Sequence, residues 1–162
     1  MTSLTLILGT FALVLPYQQV EAAAPLPCPP DITDGSTVNR NIVVKSGDSC
    51  TISNSSTING NIRVAKGASF FCENSTINGN IQARGAANVF IENCVVTGKV
   101  SALNLTNLFF LNDSTINGDL TLRGNTGITL FDSTITDKSV CARNTISAGS
   151  SMTYSNNNGC PG

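Results

Sequence analysis

Two glutamates are the strongest candidates for acid–base chemistry in this chain of 162 residues. Glu73 and Glu92 occupy equivalent positions in successive copies of a sequence repeat. If the copies stack as neighbouring strands, the two carboxylates lie about 5 Å apart, a separation compatible with a retaining glycosidase. An exposed row of acidic side chains explains the same spacing without catalysis. Because no other residues complete a catalytic constellation, we assign no catalytic residue and predict that the protein is not an enzyme.

A second group of polar residues could bind a ligand through hydrogen bonds. Threonine and asparagine alternate with apolar residues in each copy of the repeat, so a strand would direct them to one outer face, the Thr/Asn face. Stacked copies would place hydroxyl and amide groups in rows about 4.8 Å apart, a lattice suited to a repeating polymer or to ordered water. The candidate binding residues are Thr57, Asn59, Asn61, Thr76, Asn78, Asn80, Thr97, Thr115 and Asn117.

Three interpretations of the Thr/Asn face remain open. β-branched threonine suits strands and polar residues keep an outer surface hydrated, so the face could be purely structural. A glycan could bind there, although the face has no aromatic platform and the chain has no tryptophan. Regular threonine rows also resemble those of ice-binding solenoids, but Lys99, Asp119 and Lys138 interrupt the uncharged surface that such proteins favour.

The repeat that positions these residues is Ser-Thr-Ile-Asn-Gly, found at residues 56–60, 75–79 and 114–118, with degenerate copies elsewhere. Its central apolar residue recurs every 19 or 20 residues, which is typical of a solenoid. Further apolar residues follow at even spacings, so each coil should contain short strands that bury one side. The sequence therefore predicts an all-β fold, a parallel β-helix of about six 19–20-residue coils. The predicted core columns include Ile58, Ile77, Ile116, Leu108 and Phe110.

Asparagines at another repeated position are predicted to form a ladder inside the coil. Their position has the same parity as the core residues, and stacked amides could satisfy the backbone groups of a tight corner. Glycines of the repeat would relieve crowding where the wall bends. The predicted ladder residues are Asn54, Asn74, Asn93 and Asn112.

The six cysteines predict disulfide bonds, because their number is even and the chain is expected in an oxidising compartment. Cys141 and Cys160 lie about one coil apart and are the best candidates for a bond. Cys28 and Cys50 are paired by their proximity in the first coil. Cys72 could also bond to Cys50 or to Cys94, but either bond would need a local slip of the register, and Cys72 and Cys94 could instead be buried thiols.

The beginning of the chain predicts a secretory signal peptide. An apolar run at Leu4–Leu15 is too short to span a bilayer and is followed by small residues at Ala22–Ala24. We assign residues 1–24 to the signal peptide, 25–35 to an N-terminal cap, 36–149 to the solenoid domain and 150–162 to a polar C-terminal tail. The mature protein is accordingly expected to be secreted and extracellular.

Composition argues against several classes of partner. The net charge is −1 and the basic residues are scattered, so neither nucleic acid nor, after signal cleavage, a membrane is expected. The chain has no histidine and no CxxC motif, so we predict no metal and no cofactor. The expected partners are an extracellular polysaccharide or other copies of the chain, joined through the coil ends.

Asn-x-Ser/Thr sequons begin at Asn54, Asn74, Asn104 and Asn112. Three of these asparagines belong to the predicted inward ladder, where they could not carry a glycan. Asn104 is therefore the candidate glycosylation site.

The run Ser-Thr-Ile-Asn-Gly-Asn-Ile, followed by a polar turn such as residues 66–68 and another apolar strand, resembles the coils of right-handed parallel β-helix proteins. These include the pectate-lyase-like and bactofilin-like solenoids, and small secreted solenoids of the Thr-Ile/Val-x-Gly-Asn type are especially similar. The resemblance covers residues 36–147 and implies a right-handed β-helix. Such solenoids serve as lyases, hydrolases, adhesins and filaments, so the resemblance does not select a function.

We expect a non-catalytic structural or binding role at the cell surface or in the extracellular matrix. Glycan binding through the Thr/Asn face, ice binding and pectate-lyase-like activity on carbohydrates are the alternatives.

Overall fold

The computed structural model describes residues 23–28, 31–150 and 152–161, and nearly all of the predicted signal peptide lies outside them. The described chain is an all-β parallel solenoid of about seven turns, each of about 19 residues. This confirms the predicted fold class, with one turn more than the repeat count indicated. Every strand pairing in the described part of the chain is parallel.

The strands lie on three faces, which we number in the order the chain visits them in each turn. The first face holds the repeat threonines and consists of β2 (Thr37–Val38), β5 (Thr57–Ile58), β8 (Thr76–Ile77), β11 (Val95–Val96), β14 (Thr115–Ile116), and the starts of β17 (Thr134–Ala142) and β19 (Thr153–Asn158).

The second face follows a bend at the repeat glycines. It consists of β1 (Leu26–Cys28), β3 (Ile42–Val44), β6 (Ile62–Val64), β9 (Ile81–Arg84), β12 (Val100–Leu103), β15 (Leu120–Arg123) and the ends of β17 and β19. Because β17 runs through the bend, it joins the first two faces into one hydrogen-bonded sheet.

The third face is a separate sheet of six strands. It consists of β4 (Ser49–Ile52), β7 (Ser69–Glu73), β10 (Asn88–Glu92), β13 (Leu108–Asn112), β16 (Ile128–Phe131) and β18 (Ile146–Ser150).

The core is a set of columns in which equivalent apolar residues of successive turns stack. Ile58 pairs in register with Ile77, and Ile116 with Ile135, and all four side chains are fully buried. Their β-branched shape suits the pleated wall, and parallel register places like on like. This confirms the stacking predicted from the repeat.

The predicted positions of Leu108 and Phe110 in the core are wrong. Phe109 and Leu111 are fully buried instead, whereas Leu108 and Phe110 lie on the outer surface of the third face and are half-buried. Phe109 pairs with Val89, and Leu111 with Ile91. All four residues of this run are apolar, so the sequence offers no contrast from which the inward pair could be recognised.

The predicted inward asparagine ladder is also wrong. Asn54, Asn74 and Asn93 are exposed at the corner between the third and first faces, and their φ angles of 56°, 48° and 51° are left-handed. Asparagine adopts this conformation more readily than most residues, so the corner backbone accounts for the repeated asparagine. Asn112 lies instead at the end of β13, half-buried, and Asp113 takes the left-handed position with φ of 47°.

A buried serine column occupies the interior of the same corner. Ser114 shows its hydrogen bonding: the hydroxyl donates to the Asn112 carbonyl at 2.7 Å and accepts the Cys94 N–H of the preceding turn at 3.0 Å. Serine hydroxyls, and not the predicted asparagine amides, therefore satisfy the buried backbone groups of this corner. The column consists of Ser56, Ser75, Cys94, Ser114 and Ser133.

Three disulfides join the six cysteines: Cys28–Cys50, Cys72–Cys94 and Cys141–Cys160, with Cα–Cα distances of 5.5, 6.4 and 4.8 Å. The first and third confirm the predicted end pairs. The second forms without a slip in register. Cys72 lies in β7, and Cys94 occupies a serine-column position just after β10, the strand that pairs with β7. The hypothesis of buried free thiols at Cys72 and Cys94 is therefore wrong.

The segments predicted as cap and tail both add strands to the solenoid. β1, within residues 25–35, pairs with β3, and β19, within residues 150–162, pairs with β17. At the C-terminal end the Tyr154 side chain packs against the core, and its hydroxyl donates a hydrogen bond of 2.5 Å to the Pro161 carbonyl. Tyr154 thus covers part of the core at the last turn.

The repeat glycines permit successive turns to approach closely at the bend. A Cβ on Gly118 would lie 2.6 Å from the carbonyl oxygen of Gly98 in the preceding turn. We expect Gly118→Ala to lower the free energy of unfolding by about 1–3 kcal/mol, because the opposing atom belongs to the backbone and cannot rotate away.

Chemical denaturation of Gly118→Ala and of the unmodified protein measures this effect. Gly47→Asn is the matched control, because Gly47 has open space around it and a left-handed φ of 81° that asparagine tolerates. Equal stabilities for Gly118→Ala and the unmodified protein would contradict the close approach.

Burial raises the pKa of Tyr154 from 10.0 to about 12. The folded protein keeps the phenol proton between these values while the unfolded chain loses it, so this contribution to stability is present below pH 10 and is lost as the pH rises towards 12. In a chain beginning at residue 25, Tyr154 is the only tyrosine. In a pH titration, its tyrosinate absorbance should therefore appear at a pH well above the ordinary pKa of tyrosine. In denaturant the midpoint of this titration should return to the ordinary pKa.

Candidate functional site

A groove runs along the solenoid where the first face bends into the second. It has a volume of about 590 Å³ and crosses four turns. The bend turns the outer surface inward, so side chains on either side of the buried isoleucines form two walls. One wall consists of Asn41, Asn61, Asn80 and Lys99, and the other of Val43, Arg63, Gln82 and Ser101, with Pro25 at one end.

The first wall is built from an amide ladder, which we define as Asn41, Asn61 and Asn80. The Asn61 side-chain oxygen accepts the Asn80 backbone N–H at 2.9 Å and the Asn80 Nδ2 at 2.8 Å. The Asn41 oxygen accepts the equivalent pair from Asn61, at 2.8 and 3.3 Å. The Asn80 oxygen accepts the Lys99 N–H at 2.7 Å. The ladder thereby satisfies backbone donors at the bend.

The ladder leaves the groove rich in donors. A carbonyl oxygen has two lone pairs, and in Asn41 and Asn61 both are used within the ladder. Each amide nitrogen has two hydrogens, of which Asn61 and Asn80 use one. The remaining N–H groups, with Gln82 and the Arg63 guanidinium, are available to a ligand that supplies acceptor oxygens.

The charges near the groove are mainly basic. Lys99 forms a 2.7 Å ion pair with Asp119 of the next turn. The hydrogen bond between them raises the pKa of Lys99 and lowers that of Asp119. Within the part of the chain that the structure describes, Arg63 has no ion-pair partner and no carboxylate lines the groove.

The Thr/Asn face lies on the outer surface as predicted from the repeat. Its threonines stack in register, with Thr57 between Thr37 and Thr76, and are half-buried from β5 to β17 except where Val95 interrupts the row. A second row of amides is joined by side-chain hydrogen bonds, Asn59 to Asn39 at 2.6 Å and Asn78 to Asn59 at 2.8 Å. Thr97 and Asn117 continue that row and are exposed, and Thr115 continues the threonine row.

Only part of the predicted binding set lines the groove. Asn61 and Asn80 belong to it, whereas the other seven candidates lie on the flat first face beside it. Arg63 and Gln82 were missed, because the groove depends on the bend between two strands. Their outward parity, three residues after the repeat glycine, is the sequence signal that could have identified them.

The two glutamates considered for catalysis lie elsewhere. Glu73 and Glu92 are neighbours in register and are exposed at the end of the third face, near the asparagine corner. Neither lines the groove. Both side chains face solvent.

The sequon asparagines differ from the expected arrangement. Asn104 is exposed in a left-handed turn with φ of 54°, as a surface acceptor would be. The reason given for excluding Asn54 and Asn74 fails, because both are exposed. Asn112 is half-buried and its Nδ2 donates to Asp113 at 2.8 Å.

The chain matches no protein-family model, no curated protein and no solved structure. Among the described residues, no helix has the length and apolar character needed to cross a membrane.

The amide ladder should contribute to stability through its bonds to the backbone. We expect Asn80→Ala to lower the free energy of unfolding by about 1 kcal/mol, because the Lys99 N–H loses its acceptor. Asn78→Ala is the matched control, since within the described part of the chain the Asn78 side chain bonds to the Asn59 side chain and to no backbone group. Urea denaturation of both variants measures the difference, and an equal loss in the two would contradict a specific role for the ladder.

Proposed function

We propose that the protein is a secreted, non-catalytic solenoid that binds a polysaccharide chain along the groove at the cell surface or in the extracellular matrix. The donor-rich wall of the groove is the observation that carries this proposal. A polysaccharide presents hydroxyl, ring and carboxylate oxygens at regular intervals. A row of amide N–H groups spaced about 4.8 Å apart, one per turn, suits such a ligand.

The shape of the groove supports an extended ligand. It continues across four turns, which corresponds to roughly 14 Å between the outermost lining residues. Sugar-binding sites often use aromatic platforms, and this groove has none among its lining residues. Binding would depend on hydrogen bonds from Asn61, Asn80 and Gln82, with Arg63 available to a carboxylate or hydroxyl.

The disulfides support an extracellular location. Three bonds in one chain are compatible with an oxidising compartment and are rare in the cytosol. They also hold successive turns in register, so that the groove is formed before ligand arrives. A preformed site reduces the entropy lost on binding.

Retention on insoluble polysaccharides tests the proposal. We expect the protein to bind at least one of cellulose, chitin, β-glucan or cross-linked polygalacturonate. Replacing two exposed donors of the groove, Arg63→Ala with Gln82→Ala, should weaken binding by about tenfold or more, because each removes a hydrogen bond to the ligand.

The double variant Lys45→Ala with Asn107→Ala is the matched control. It also removes one cation and one amide, and both residues are exposed outside the groove. Retention should be unchanged in this control. Failure to bind any of the polymers, or equal binding by the groove variant and the unmodified protein, would overturn the proposal.

A further inference from the structure

The third face carries a ridge of phenylalanines on its outer surface. Phe71, Phe90 and Phe110 are register partners in β7, β10 and β13, and all three are half-buried. Their ring centroids are 5.1 and 5.5 Å apart along the ridge. Leu108 and Phe131, also half-buried, lie on strands of the same face and extend its apolar surface. Large apolar groups grouped on one outer surface are typical of an interaction site.

The two edges of this face carry opposite charges. The chain enters the face from a basic edge, with residues in or beside the turns before β7, β10, β16 and β18. It leaves at an acidic edge, with residues at or just after the ends of β7, β10, β13 and β16. All eight residues are exposed: Lys66, Arg84, Arg123 and Arg143 on the basic edge, and Glu73, Glu92, Asp113 and Asp132 on the acidic edge.

These charges are not neutralised within the chain. In residues 23–28, 31–150 and 152–161, the ion pair between Lys99 and Asp119 is the only one, and it lies outside this face. Each edge is therefore available to a partner surface with the opposite charge. The polarity is repeated from turn to turn, from Lys66 to Glu73 and again from Arg84 to Glu92.

We propose that the third face binds a second copy of the chain, in a dimer whose two-fold axis runs parallel to the solenoid axis. This operation keeps each turn at the same height and reverses the direction of the facing strands. The acidic edge of one copy then lies opposite the basic edge of the other. Glu92 meets Arg84 of the same turn in the second copy, and Glu73 meets Lys66.

The same operation brings the aromatic ridges together at the centre. Phe90 faces its own counterpart across the axis, and the rings are removed from water. A two-fold axis perpendicular to the solenoid would instead place acidic edges together, which is unfavourable. The charge pattern therefore selects the parallel arrangement. Because the groove lies on the other side of the molecule, this pairing is independent of the proposed polysaccharide site.

Sedimentation equilibrium of the disulfide-intact protein tests the dimer. We expect a reversible monomer–dimer equilibrium. Phe90→Ser should weaken it by about tenfold or more, because the ridge is the centre of the interface. A protein that stays monomeric throughout the micromolar range would overturn the proposal.

Charge exchange provides the specific test. Glu92→Lys should weaken dimerisation, and adding Arg84→Glu to the same chain should restore it, since the two edges are again complementary. Asp137→Lys changes the net charge equally at an exposed position away from the third face and is the matched control. Failure of the second substitution to restore dimerisation would contradict the pairing.

Cross-linking determines the orientation. Facing sheets pack about 10 Å apart, so a short bis-maleimide can join cysteines placed across the axis. In the parallel dimer, Phe71→Cys should cross-link to itself and so should Phe110→Cys. Cross-linking only in a mixture of the two variants would indicate the antiparallel arrangement and overturn the proposed one.

Discussion

The register between successive turns is the constraint on which the rest of the structure depends. Parallel pairing places each residue beside its equivalent one turn later. A residue type that packs against or hydrogen-bonds to an identical residue can therefore recur in every turn. Ile58 above Ile77 is one result, and the hydrogen bonds between Asn61 and Asn80 are another. A slip of one residue would exchange the inside and outside of every strand it affected.

Several independent devices hold this register. The repeat glycines permit carbonyl groups of adjacent turns to approach, and the serine column links buried hydroxyls to the backbone of the preceding turn. The amide ladder does the same on the outer surface. Disulfides at both ends and between Cys72 and Cys94 add covalent links. Together they produce a rigid support whose outer surfaces are regular.

The three faces then differ in chemistry while sharing the same spacing. The bend between the first and second faces has amide donors and the Arg63 guanidinium, and is concave. The third face has aromatic rings between an acidic and a basic edge. We propose different partners for these surfaces: a polymer rich in oxygen acceptors for the groove, and a second copy of the chain for the third face. A solenoid can offer both at once because its faces point in different directions.

The repeat of isoleucine and asparagine was enough to predict the parallel solenoid, the inward isoleucine columns and the outward Thr/Asn face. Periodicity determines these features, because equivalent residues must stack once the coil length is constant. The two end disulfides were also predicted, Cys141–Cys160 from the coil spacing and Cys28–Cys50 from proximity in the first coil. What only the tertiary structure decided depends on local backbone conformation. The left-handed backbone at the corner directs Asn74 outward, so Ser75 occupies the interior. In the third face, residues 108–111 are all apolar, so the sequence could not show that Phe109 and not Phe110 faces the core. The groove beside Arg63 and the opposed charges around Phe90 arise from how strands bend and stack in space, which one-dimensional spacing does not specify.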